Sequence, residues 1–376
     1  MKTTEIIISE ITANSDYIKK KVQRINQYLF YFRIHQIETM AVINLTEVQV
    51  KELMDWPLVF HAVEQSLRSI CKTKVSQDQP TAVQPTRIFT PTEKGTLLCM
   101  PGFIGNYKLA ANQPKVYNSL GCKLVTAFVG NKDLIPPKPN IIGNIFLFNE
   151  ETGELTATIQ ASEITGWRTA GASLVATKYL FSKRPSTPQI NTVAIIGCGV
   201  QGRTHAIGLL STNFVETIRL WNRTKSRAES LIAELMQLRQ SFKNPNIKIE
   251  CVSTVEECAK NADVIVTATF SSSPILFRSM IKNNVHINAV GAGVNHHTEL
   301  SEDIYKDPQT KIYVDSIDNA HSELKTLDAP IVGEVGDIIN AHSAPPTTGI
   351  TIFHSMGMAV EDVAVAQAIL EKFKIK

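Results

Sequence analysis

Gly197, Gly199 and Gly202 are the residues whose spacing commits this chain most clearly to a chemistry. They follow a β-branched run at 193–196 and open the helical pattern QGRTHAIGLL. Between a strand and a helix, such glycines serve a dinucleotide. Gly197 permits the tight turn, Gly199 lets the backbone approach a pyrophosphate, and Gly202 allows the helix to pack closely on the strand. The unpaired N–H groups at the helix start, around Val200 and Gln201, carry a partial positive charge suited to phosphate. The next strand pattern runs from Thr217 to Trp221 and ends at Asn222, where an NAD site usually carries an acid for the ribose 2′-hydroxyl. Asn222 removes the charge that would repel a 2′-phosphate, and Arg223, Thr224, Lys225 and Arg227 are placed to bind one. The expected cofactor is therefore NADPH, with NADH the weaker alternative.

Three cations stand in apolar surroundings: Arg87 in QPTRIF, Lys123 in GCKLVTAF and Arg168 in TGWRTAG. A buried unpaired cation is costly, so each demands an anion. An internal carboxylate or a snorkelling side chain would satisfy any one alone. Three beside a nucleotide site point instead to a substrate carboxylate, which guanidinium grips bidentately. Glu334 and the turn at 355–362 are candidates for lining the pocket, a buried structural glutamate being the other reading of Glu334. His296 and His297 are adjacent, with no acid or cysteine at helical or strand spacing to complete a ligand set, so no metal site is expected.

The elements that must position these residues follow from the hydrophobic pattern. Residues 1–39 read as a loosely structured N-terminal extension. Residues 40–165 form an α+β domain with a mostly antiparallel sheet for substrate binding and dimerisation, completed by 346–376. Asn149–Gly153 sits between two apolar runs as a hairpin turn. Residues 166–345 alternate strand and helix patterns and form a Rossmann-type parallel sheet that binds the dinucleotide, so the fold class is α/β. The last segment, GITIFHSMGMAVEDVAVAQAILEKFK, reads as a short strand, a glycine turn and an amphipathic helix. The chain of 376 residues is 43% hydrophobic and 19% charged with a net charge of +3, which argues against nucleic acid as a partner. No apolar run reaches the roughly eighteen residues of a membrane span. Six cysteines without a CxxC pair suit a reducing, cytoplasmic setting.

The segments QPTR (84–87), MPG (100–102), KLVT (123–126), TGWRTAGASLVATK (165–178), IIGCGVQG (195–202), LWNRTK (220–225), ADVIVTAT (262–269), HINAVGA (286–292) and SMGMAVED (355–362) occur in order across 40–376. With them the chain resembles the ornithine cyclodeaminase/mu-crystallin family. The resemblance implies a homodimer in which Arg87, Lys123 and Arg168 meet substrate or cofactor. It also implies that Thr169, Thr269, Phe270 and Ser271 lie beside the cofactor. In deaminating members a catalytic aspartate stands where this chain has Ser271, and a neutral serine cannot handle the amine and imine near pH 7. The implied activity is thus an NADPH-dependent ketimine reductase acting on small cyclic imino-carboxylates. Arg87 would hold the carboxylate and Lys123 would orient or protonate the imine nitrogen. A cyclodeaminase-type ammonia lyase with tightly bound NAD is one alternative. Binding of a thyroid-hormone-like ligand in the same cleft is another. The departures NIIGN (140–144) and GAGVNHHTEL (291–300) fall where substrate choice would be shaped.

Overall fold

The computed structural model describes residues 41–71, 79–110, 112–185, 189–291 and 297–375. The expected extension at 1–39 and His296 lie outside them. Asn44–Lys376 forms the compact unit that carries two sheets.

One sheet is parallel throughout, in the spatial order Lys248–Cys251, Thr217–Trp221, Thr192–Ile196, Val264–Thr267, Val285–Ala289, Ile350–His354, Thr310–Val314 and Ile331–Glu334. Its central strands are continuous apolar runs because helices cover both faces. The two-residue period of a strand sends Val193 and Ile195 to one core and Ala194 and Ile196 to the other. Strand order reverses between Thr192–Ile196 and Val264–Thr267, leaving a crevice past their carboxyl ends where α/β sheets bind ligands. Ile350–His354 was expected with the first domain. It instead pairs with Val285–Ala289 and Thr310–Val314, since its apolar residues fit only a strand buried on both faces. The chain leaves the parallel sheet after His354 rather than at 346.

The other sheet runs Leu155–Gln160, Ile141–Phe148, Tyr117–Ala127, Thr96–Tyr107 and Thr81–Val83 in antiparallel pairs, with Ile88–Pro91 also on Thr96–Tyr107. Its inner face, including Met100 and Val125, packs on the helix Ala359–Ile375 at Ala359. That helix is not amphipathic. It is buried nearly all round, Glu361 and Asp362 included. The helix Trp56–Ile70 starts on an Asp55 cap whose carboxylate accepts from Leu58 N at 2.8 Å. Its Trp56 ring stacks on Trp167 of the helix Ser162–Thr177, with centroids 4.2 Å apart and planes inclined by 22°. The helix Val200–Thr212 comes up against the same ring, and only a glycine at 208 leaves room for it.

Candidate active site

The dinucleotide loops sit just past the carboxyl ends of the parallel strands. Gly197 turns the chain with φ +106°, and a Cβ at Gly202 would fall 1.8 Å from the Gly197 carbonyl oxygen. The fingerprint turn therefore closes only with glycine at 202. At Gly199, the cap of the helix Val200–Thr212, a Cβ would meet nothing within 4 Å. That open face is where a pyrophosphate needs close approach to the backbone. Val200, at the helix start, is 68% exposed, and the buried Gln201 Oε1 has no hydrogen-bond partner among the described residues. Cys198 N donates to Asn222 Oδ1 at 3.0 Å, and Asn222 Nδ2 donates to the Thr224 carbonyl at 2.8 Å. Asn222 thus braces the glycine turn against the end of the second strand. Arg223, Thr224 and Arg227 are exposed there, and neither arginine forms an ion pair among the described residues. These residues fit a dinucleotide.

On the other side of the crevice, Thr269 N and Oγ1 donate to Glu299 Oε1 at 2.7 and 2.5 Å. Phe270 is 76% exposed, while Ser271 Oγ donates to the Ser273 carbonyl at 2.7 Å. Burial holds the Glu299 carboxyl above its ordinary range despite the Thr269 hydrogen bonds. Glu299 was not anticipated. The signal that points to it is an acid inside the divergent segment 291–300.

The three cations gather at the turn that links Ile350–His354 to the helix Ala359–Ile375 and at the first turn of that helix. Lys123 is buried, and its Nζ lies 2.6 Å from Asp362 Oδ2. Arg168 is also buried, with Nε 3.0 Å from Asp362 Oδ1 and Nη1 3.1 Å from Glu361 Oε2. Arg87 Nη2 donates to the Met356 and Gly357 carbonyls at 2.8 and 2.7 Å and stands 3.0 Å from Glu323 Oε1. Gly357 has φ +82°, and a Cβ there would fall 2.4 Å from Arg168 Nη1. Its N–H donates to the buried Asp315 Oδ2 at 2.6 Å. Every cation has a protein carboxylate, so internal pairing, the other reading of the sequence, already meets the cost of burying these charges, and the inference of a substrate anion from unpaired cations does not hold.

The electrostatics follow from that packing. Burial pushes the Lys123 ammonium down to about 8, against the pull of Asp362, and Arg168 adds to the fall. Burial opposes the Arg168 charge too, but Asp362, Glu361 and Asp315 outweigh it and raise its pKa. Burial lifts Glu361 to about 8 and Asp315 to about 6. The site therefore holds its protons in a range usable near neutral pH.

Gly166 ties the two halves of the site together. It lies beside Thr204 and Val200, which brings the start of the Arg168 helix onto the dinucleotide helix. Thr169 shares that helix and donates its hydroxyl to the Thr165 carbonyl at 2.8 Å. Glu334 Oε1 accepts from Ile317 N at 2.8 Å, two residues past Asp315. His297 Nε2 stands 3.3 Å from Thr326 Oγ1. Asp315, Glu323, Glu361 and Asp362 were missed individually. The signal that finds them is the demand of three buried cations for anions.

Residues 38–376 match the ornithine cyclodeaminase/mu-crystallin family. The chain is 30% identical to the ketimine reductase mu-crystallin of Rattus norvegicus over 296 residues, 77% of this chain and 85% of the relative. It is 31% identical to a Delta(1)-pyrroline-2-carboxylate reductase of Bacillus cereus over 304 residues, 77% and 86% of the two chains. Its fold superposes on an archaeal alanine dehydrogenase dimer with bound NAD at a TM-score of 0.74 and 25% identity, over 89% of this chain and 96% of that one.

Proposed function

The chain belongs to the ornithine cyclodeaminase/mu-crystallin family, and from that premise we propose that it is an NADPH-dependent reductase of small cyclic imino-carboxylates. The observation that carries this reading is the cluster of Arg87 and Arg168 at the Gly357 turn and Lys123 at Asp362 just beyond it, past the carboxyl end of Ile350–His354 in the same parallel sheet whose other strand ends bear the dinucleotide loops. A nicotinamide cofactor, when bound, supplies the hydride. Reduction adds that hydride to the C=N carbon and a proton to the nitrogen, giving a cyclic secondary amine. Arg87 has the most accessible of the three cationic side chains, at 12% exposure, and anchors the substrate carboxylate. Lys123 holds the proton for the imine nitrogen. An ammonium lowered to about 8 remains charged at neutral pH yet releases its proton readily. Arg168 and Asp362 fix the Lys123 side chain in place. Ser271 supports reduction over ammonia loss, since its hydroxyl is spent on the Ser273 carbonyl and offers no carboxylate.

The test is NADPH oxidation with five- and six-membered cyclic imino-carboxylates. Turnover is expected, with kcat/KM falling above about pH 8 as Lys123 deprotonates. Lys123→Met should remove that alkaline limb along with most of kcat. Arg87→Met should act chiefly on KM and kcat/KM. Ammonia release from ornithine without imine reduction overturns the proposal.

A further inference from the structure

Outside that cluster, Cys71, Asp337 and His342 offer a thiol sulfur, a carboxylate oxygen and an imidazole nitrogen that all lie within 4.8 Å of one another. They come from two elements. Cys71 ends the helix Trp56–Ile70, and Asp337 belongs to the helix Val335–Ile339, with His342 just beyond it. His342 N and Ser343 N both donate to the Asp337 carbonyl, at 2.8 and 3.4 Å. That turn brings His342 Nδ1 to 3.6 Å from Asp337 Oδ1. The approach of the two helices is close enough that a Cβ at Gly336 would fall 2.7 Å from Cys71 Sγ and 2.2 Å from the Leu67 carbonyl oxygen. Cys71 is 4% exposed.

The second observation is the imidazole itself. Both ring nitrogens of His342 are buried, and neither has a hydrogen-bond partner among the described residues. Buried polar atoms are nearly always satisfied, and an orphaned pair on one ring calls for a ligand. We propose that Cys71, Asp337 and His342 bind a divalent transition-metal ion, with zinc the best match. Zinc takes thiolate, imidazole and carboxylate together in a tetrahedral site. Calcium and magnesium require oxygen donors throughout. Three protein ligands leave the fourth position to water. Binding exchanges the thiol proton for the metal, forming a metal–sulfur bond and releasing one H⁺ to solvent. The ion fastens the end of one helix to the next and gives the orphaned imidazole its partner.

The experiment uses the full chain, freed of metal with a chelator and titrated with Co²⁺ and then Zn²⁺. A single equivalent of cobalt should bind and develop thiolate-to-cobalt charge-transfer absorption with tetrahedral ligand-field bands. Zinc should displace it and raise the melting temperature. Cys71→Ser should abolish the charge-transfer absorption, and His342→Ala should weaken zinc binding by at least about tenfold. NADPH affinity should be unchanged in both variants, which separates this site from the crevice. No charge-transfer absorption in the unmutated protein, its persistence in Cys71→Ser, or undiminished zinc affinity in His342→Ala overturns the proposal. The unmutated spectrum decides the matter even if a variant fails to fold.

Discussion

Asp362 is the residue on which the cationic cluster turns, because its two oxygens serve Lys123 and Arg168 at once. Removing one partner from a buried charge set strands the others. Asp362→Asn should therefore lower stability by about 3–5 kcal/mol, read from chemical denaturation, with catalysis falling as Lys123 loses its anchor. Lys123→Met strands Asp362 beside a single remaining cation, so its melting temperature must be read beside its kinetics. A fall in kcat larger than the fraction unfolded marks the proton-holding role. At the cofactor end the relevant residue is Arg223, exposed and without an ion pair among the described residues. Arg223→Ala should cost about 1–3 kcal/mol of NADPH affinity and leave NADH affinity unchanged, since only NADPH offers a 2′-phosphate to a charge-assisted hydrogen bond. Calorimetric titration with both cofactors checks this, and equal affinities in the unmutated protein would sink the assignment.

At the scale of elements, the parallel strands and their glycine turn were legible because a strand buried on both faces has an unambiguous apolar run. The hairpin around Asn149–Gly153 was legible for its turn residues, and Gly153 does adopt φ +75°. The helix Ala359–Ile375 was misread. An amphipathic helix would turn part of its charge to solvent, although Glu361 and Asp362 fall in the 355–362 turn expected to line the pocket. The structure buries them because Lys123 and Arg168 arrive from other elements far away in sequence, which no local pattern encodes. The same helix-to-helix logic gives a pH prediction. His205 joins the helix Val200–Thr212 to the helix Ser162–Thr177, with Nδ1 2.8 Å from the Gln201 carbonyl and Nε2 2.9 Å from Ser173 Oγ. Burial pushes its pKa down to about 4. As pH falls through the unfolded value of about 6.5, the unfolded chain takes up a proton that the folded chain refuses. Stability contributed by the neutral ring is complete above that value and is lost progressively toward pH 4, on the order of 3 kcal/mol. Urea midpoints measured across this window should slope less steeply in His205→Gln.

For the molecule as a whole, the antiparallel sheet leaves one face open. Helix Ala359–Ile375 covers the face bearing Met100 and Val125. The opposite face carries Ile88, Leu97 and Ile142, which are 59%, 38% and 41% exposed. An apolar sheet face of this kind marks an association surface, and the related archaeal alanine dehydrogenase is a dimer. The expected outcome is a homodimer at micromolar concentration that Leu97→Glu with Ile142→Glu converts to monomers in sedimentation equilibrium. A monomeric unmutated protein would end this assignment. The stacked rings of Trp56 and Trp167 carry an optical consequence. With centroids 4.2 Å apart and planes inclined by 22°, their near-ultraviolet transitions couple and should give a pair of circular-dichroism bands of opposite sign. The chain's third tryptophan, Trp221, stands apart at the strand end beside Asn222, its Nε1 donating to the Ser253 carbonyl at 3.3 Å. Nucleotide arriving at the crevice should quench Trp221 emission without touching the coupled bands. Separation of the helices Trp56–Ile70 and Ser162–Thr177 should extinguish those bands, so two light signals from three indoles keep binding and opening distinct.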